Sequence, residues 1–126
     1  MASVISPKQI ALSLTELWSP RVIGEVDDAY IKVAKVHGCL TWHSHEHEDE
    51  LFLVLKGKLR IELRDRVVDL GEGEMFIVPK GVQHNPIADE ECCIMLIERK
   101  STLHTGDVAM GKTRSVEDQL RPLPPG

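Results

Sequence analysis

From Arg21 onward the chain is cut into short apolar stretches by turn residues, and this punctuation limits the fold more than any other feature. RVIGEV is followed by Asp27-Asp28, then AYIKVAKV, then His37-Gly38. Stretches of this length bounded by turn formers are strand-sized. In KLRIELR, Leu59, Ile61 and Leu63 alternate with Lys58, Arg60, Glu62 and Arg64, the two-residue period of a strand with one face turned inward. LFLVLK before Gly57, VVDL before Gly71, MFIV before Pro79 and CCIMLIE at 92–98 add further strands. Six or more short strands without a long helical period predict an all-β sandwich or barrel. Periodicity leaves a jelly roll and an immunoglobulin-like sandwich both open, although the latter usually brings a different pattern of Cys and Trp.

At 126 residues the chain fits the usual allotment of roughly 100 to 200 residues for one domain, so one core is expected. Residues 1–20 read as an N-terminal arm, 21–100 as the barrel and 101–126 as a C-terminal extension. In the arm, Ser6, Pro7 and Gln9 have the spacing of an N-cap, a first-turn proline and a capping-box partner, predicting a short helix through about Leu14. In the extension a short helix is predicted near SVEDQL, and the tail RPLPPG is expected to be mobile. The start, MASVISPKQI, lacks the basic residues and long apolar run of a secretory signal, and no stretch approaches the roughly 18 apolar residues of a membrane span. A cytoplasmic protein that uses no membrane is the expectation. Fifteen basic and 20 acidic residues give a net charge of -5, with the Lys and Arg scattered, so a nucleic-acid partner is not expected. The cysteines, Cys39, Cys92 and Cys93, are odd in number and suit free thiols in a reducing compartment. Cys92 and Cys93, adjacent on a strand, point to opposite faces and read as packing residues rather than metal ligands.

Three of the six histidines, His43, His45 and His47, fall within five residues just ahead of Glu50. Histidines at i and i+2 on a strand face one side, roughly 6.6 Å apart, so His43 and His45 can converge on an ion held about 2.0 to 2.1 Å from each nitrogen. After a turn through residues 46–49, the Glu50 carboxylate can return from the next strand as a third contact. An exposed turn rich in His and Glu has the same composition, and these eight residues alone leave both readings open.

Two blocks of the chain resemble the motifs of the cupin superfamily over about residues 29 to 100. Gly38, His43, His45, Glu50 and Gly57 stand in the order of the first cupin motif, with four residues between His45 and Glu50 and six between Glu50 and Gly57. Gly73, Pro79, Gly81 and His84 match the spacing of the second motif, and the two blocks are separated by the 15 residues from Lys58 to Glu72. The chain departs from the pattern at two points. Four residues rather than five separate Gly38 from His43, and Ala88 stands where the second motif has Asn. The resemblance implies a double-stranded β-helix, that is, a jelly-roll barrel, and it implies His43, His45, Glu50 and His84 as ligands of one divalent transition metal. His47 falls in the turn by that spacing, and His37 and His104 match nothing and read as ordinary polar residues.

Mixed imidazole and carboxylate donors suit Mn, Fe, Co, Ni, Cu or Zn. Four protein ligands leave one or two positions open on a five- or six-coordinate ion, which permits Lewis-acid chemistry or oxygen activation. The resemblance thus points to a metal-dependent oxygenase or isomerase acting on a small organic molecule. The alternative is a non-catalytic module that binds a small molecule or senses it. By resemblance a homodimer is expected. No acid or base is assigned, Lys80, Gln83 and Cys39 being the polar residues nearest the motifs.

Overall fold

The computed structural model describes residues 3–123. Helix α1 (Pro7–Ser13) precedes seven strands: β1 (Arg21–Val26), β2 (Ala29–Cys39), β3 (Glu50–Lys56), β4 (Leu59–Leu63), β5 (Val67–Leu70), β6 (Met75–Val78) and β7 (His84–Arg99). Helix α2 (Val116–Gln119) follows. The strands pair antiparallel in the order β1-β2-β7-β3-β6, with β4 joined to β7 and β5 to β4.

The curvature comes from β7. Its C-terminal half pairs with β3, from Cys93 against Lys56 to Glu98 against Glu50, while its first residues pair with β4, from His84 against Leu63 to Ile87 against Arg60. Strand β2 accompanies β7 along most of its length on the other side. One long strand therefore carries both β3 and β4 along one side and curls the seven-stranded sheet into the jelly roll. The sequence signals β7 only at 92–98. Its first half, HNPIADEE, contains a proline and three acidic residues and hides the period, although Pro86 still accepts a hydrogen bond from the Leu40 amide at 3.2 Å.

Alternation sorts the side chains. Ala34, Val36, Phe52, Val54, Leu59, Ile61, Leu63, Ile94 and Leu96 face inward with Trp18 and Leu40 to form the core. Each Val, Leu, Ile or Phe among them contributes about 1.5–3 kcal/mol on full burial. Outside the sheet, Val33 and Cys93 pack under Ala11 and Leu14 of the N-terminal arm, which gives α1 its apolar footing. Cys92 and Cys93 fall in these two different clusters, one on each face. The Ser6 hydroxyl caps α1 by accepting the Gln9 amide at 3.4 Å. A reciprocal bond from the Gln9 side chain is not formed among the described residues.

The Asp27-Asp28 turn closes the β1–β2 hairpin with Asp27 in the left-handed region at φ 49°, a conformation that Asp tolerates better than most residues. Gly57, between β3 and β4, has φ 90°, and a Cβ there would meet the Glu91 carbonyl oxygen at 3.1 Å. Both its conformation and its packing call for glycine.

The segment after β7 lies against the barrel rather than trailing from it. Thr102, Thr105 and Gln119 are buried, and α2 forms at SVEDQL with the Ser115 hydroxyl as its cap. Arg21 donates to the carbonyls of Arg121, at 3.2 Å, and Pro122, so the beginning of the tail expected to be mobile is tied to β1. Residues 124–126 lie outside the described residues. No helix of the described chain is long and apolar enough to cross a membrane.

Candidate metal centre

Two backbone bonds build the site. His43 and His84 exchange N–H to carbonyl hydrogen bonds of 3.0 and 2.9 Å, an isolated antiparallel bridge that seats the two imidazoles side by side. One step along, the Gly81 amide donates to the His45 carbonyl at 2.8 Å. The segment carrying His43 and His45 is thus not a regular strand, yet both rings turn inward and Ser44 between them turns out. Glu50 opens β3 and returns to the same place after the turn at 46–49, and His84 opens β7.

The donor atoms of His43, His45, Glu50 and His84 all lie within 4.8 Å of one another, and the residues are 1%, 4%, 5% and 0% exposed. His47 stands apart with its side chain 81% exposed. His37 is exposed and takes part only through its carbonyl, which accepts the Trp18 indole N–H at 2.8 Å.

The tautomers favour a metal. Nδ1 of His43 lies 2.9 Å from the Thr41 carbonyl, and Nδ1 of His84 lies 2.9 Å from the Val82 carbonyl. A carbonyl only accepts, so each Nδ1 carries the proton and each Nε2 presents a lone pair. Nδ1 and Nε2 of His45 are both buried without a hydrogen-bond partner, and the 3.5 Å from Nε2 to Glu50 Oε1 is too long for a good bond. Such orphaned groups cost about 1–3 kcal/mol each, a cost that an ion would offset at Nε2. The donor set fits a divalent transition ion.

Electrostatics agree. Burial first, and then the neighbouring His84, push His43 down to about 4, so its ring is neutral and able to ligate at pH 7. Burial alone would lower His45, but the Glu50 carboxylate beside it raises it. Burial alone would raise Glu50, but the Glu98 hydrogen bond and the neighbouring rings of His45 and His84 hold it well below the ordinary carboxylate range.

Glu98 and Lys32 are the residues that motif reasoning missed here. Glu98 is the direct register partner of Glu50 across the β3–β7 pair, and the Lys32 ammonium lies 2.7 Å from its Oε1 with both side chains nearly inaccessible. That ion-pair contact on its own argues for an ionised Glu98. Burial and the charge of Glu50 outweigh it and raise Glu98 well above the usual range, leaving Glu98 as the protonated member of the carboxyl pair.

Beside these groups lies a cavity of about 30 Å³ walled by Trp18, Leu40, Phe52, Ile94 and Leu96 and floored by His43, Glu50 and Glu98. His104 completes the wall. This corrects its reading as an ordinary polar residue: the segment after β7 folds back over the barrel mouth and brings it to the site, a return with no spacing signature in the sequence.

Fold and site together define a jelly-roll protein with a three-histidine, one-glutamate constellation inside the barrel. Residues 31–98 match the Cupin_2 family model, a cupin domain, and the chain belongs to the cupin family. It is similar to a cupin-2 domain containing protein from Shewanella frigidimarina NCIMB 400, with 45% identity, a TM-score of 0.75, and coverage of 77% of this chain and 95% of that one. The Bacillus subtilis protein YdbB is 33% identical over 79 residues, 62% of this chain and 70% of that protein. A 3-hydroxyanthranilate 3,4-dioxygenase 2 of Aspergillus fumigatus is 27% identical over 89 residues, 66% of this chain. The chain spans 46% of that dioxygenase's length.

Proposed function

We propose that this cupin is a metal-dependent enzyme acting on a small organic molecule, and that its chemistry is that of an oxygenase. The observation that carries the reading is the convergence of four buried donors on the floor of an apolar cavity. When bound by His43, His45, Glu50 and His84, a divalent transition ion supplies Lewis acidity or, if redox-active, a site for oxygen chemistry. The chain's own residues supply the rest. Thr41 and Val82 fix the rings of His43 and His84, Glu98 holds Glu50 in its ionised state, and Trp18, Leu40 and Phe52 keep water from the reacting end of the substrate.

Similarity to the dioxygenase favours oxygenase over isomerase. The test is oxygen uptake by the ferrous protein against a panel of small aromatic and enolic substrates. Consumption only with a particular substrate supports the reading, and turnover under strict anaerobiosis redirects it to isomerase or hydrolase chemistry. Binding of a panel member without turnover under either atmosphere would favour a sensing module.

The proposal extends to a cytoplasmic homodimer. On the outer sheet face, Ile31, Ile97, Leu51 and Ile77 stand in register across four strands, and Met95, Leu53 and Met75 form a second row. Ile77 is 47% and Met75 56% exposed, an apolar stripe suited to a second copy.

A further inference from the structure

His104 belongs to neither motif, yet it shares a cavity with two of the four donors. Its Nδ1 accepts the Arg114 amide N–H at 2.8 Å. The Nδ1 lone pair is therefore occupied, and in the neutral ring the proton resides on Nε2. Burial, the largest influence on it, pushes His104 down to about 4, consistent with a neutral ring. Among the described residues its Nε2 has no hydrogen-bond partner.

The backbone around His104 is fixed to the ligand segment. The Ser44 amide donates to the Asp107 carboxylate at 3.0 Å, and the Asp107 amide donates to the Ser44 carbonyl at 3.2 Å. Gly106, at φ 56°, packs so closely on Ser44 that a Cβ there would clash with its carbonyl oxygen. Ser44 sits between His43 and His45, so the position of His104 is set relative to the centre itself.

We infer that His104 is a ligand-positioning residue, whose Nε2–H donates to a carboxylate or carbonyl oxygen of a small molecule that also occupies an open position at the metal centre. The inference rests on the metal-centre reading above. His104 does not serve as a fifth ligand: in this tautomer neither ring nitrogen has a free lone pair, and it stands outside the cluster of donors that lie within 4.8 Å of one another. The cavity, at about 30 Å³, admits only a group of a few atoms, since one water needs about 10–15 Å³ by this measure. A carboxylate end suits it.

The test uses the full chain loaded with cobalt(II) and sodium formate as the probe, followed by the visible ligand-field spectrum. Saturable formate binding is expected in the wild type. His104→Phe should weaken it about tenfold, the effect of one lost hydrogen bond. His104→Gln, which keeps an amide donor near the place of Nε2, should restore most of the loss. Cobalt affinity should change by less than about threefold in both variants. Equal formate affinity in the wild type and His104→Phe would overturn the role of His104 alone, as would a loss of cobalt in His104→Phe matching that of His43→Ala. Failure of the wild type to take up cobalt would instead overturn the metal centre, and this inference with it. A long-range proton–nitrogen correlation spectrum of the wild-type zinc form needs no variant: the ring proton of His104 is expected on Nε2, and finding it on Nδ1 would refute the assignment.

Discussion

Single side chains decide whether the centre binds an ion. Replacing His43, His45 or His84 by Ala removes an inward donor and leaves Glu50 buried with less compensation, so metal affinity should fall by orders of magnitude. His47→Ala removes only an exposed ring and should leave affinity close to wild type. Metal titration of the four variants at neutral pH checks this, and equal losses at His47 and His43 would contradict the register of the first motif. Acid acts at the same scale. His43 and His104 are both held to about 4, so as pH falls from about 6.5 the unfolded chain takes up protons that the folded chain refuses. Each of these two groups should therefore subtract up to about 3 kcal/mol from the stability of the metal-free protein between about pH 6.5 and 4, against opposite contributions from His45 and Glu98, whose values are raised. In thermal melts across that range the wild type should lose stability relative to His104→Phe as pH falls. The four donors were legible because motif spacing is a property of sequence. Glu98 and Lys32 were not, since each lies within an apolar stretch whose alternation is imperfect, and His104 is brought in by a long return of chain.

Strands impose their own constraints. Lys32 lies on the same side of β2 as Ala34 and Val36, so register alone places an ammonium inside the barrel, where Glu98 meets it at 2.7 Å. Glu98→Leu would remove the carboxyl oxygen that accepts from that buried ammonium and should cost about 1.5–3 kcal/mol. Adding Lys32→Met should recover most of this, and denaturant unfolding of the two single variants and the pair measures the coupling. Gly57→Ala should cost about 1–3 kcal/mol, because a left-handed backbone and a carbonyl in the path of the new methyl act together. Most strands were visible in the sequence as apolar runs between turn formers. The first half of β7 was invisible because its exterior is acidic and its interior includes Pro86, although that half closes the barrel.

For the molecule as a whole, the outer stripe of Leu51, Ile77 and their row neighbours predicts a particle of about twice 14.1 kDa in light scattering at micromolar concentration. Leu51→Lys together with Ile77→Lys should give a monomer that still binds metal. A monomeric wild type would refute the dimer. The contact of Gly106 with Ser44 and His43 has a kinetic consequence as well. The return segment packs over the ligand segment there, so metal exchange in the finished protein should be slower than loading of the unfolded chain. Loading during folding, before the return segment settles, meets no such barrier. The ion a molecule carries would then record which metal was abundant when the chain was made, rather than which one it holds most tightly at equilibrium.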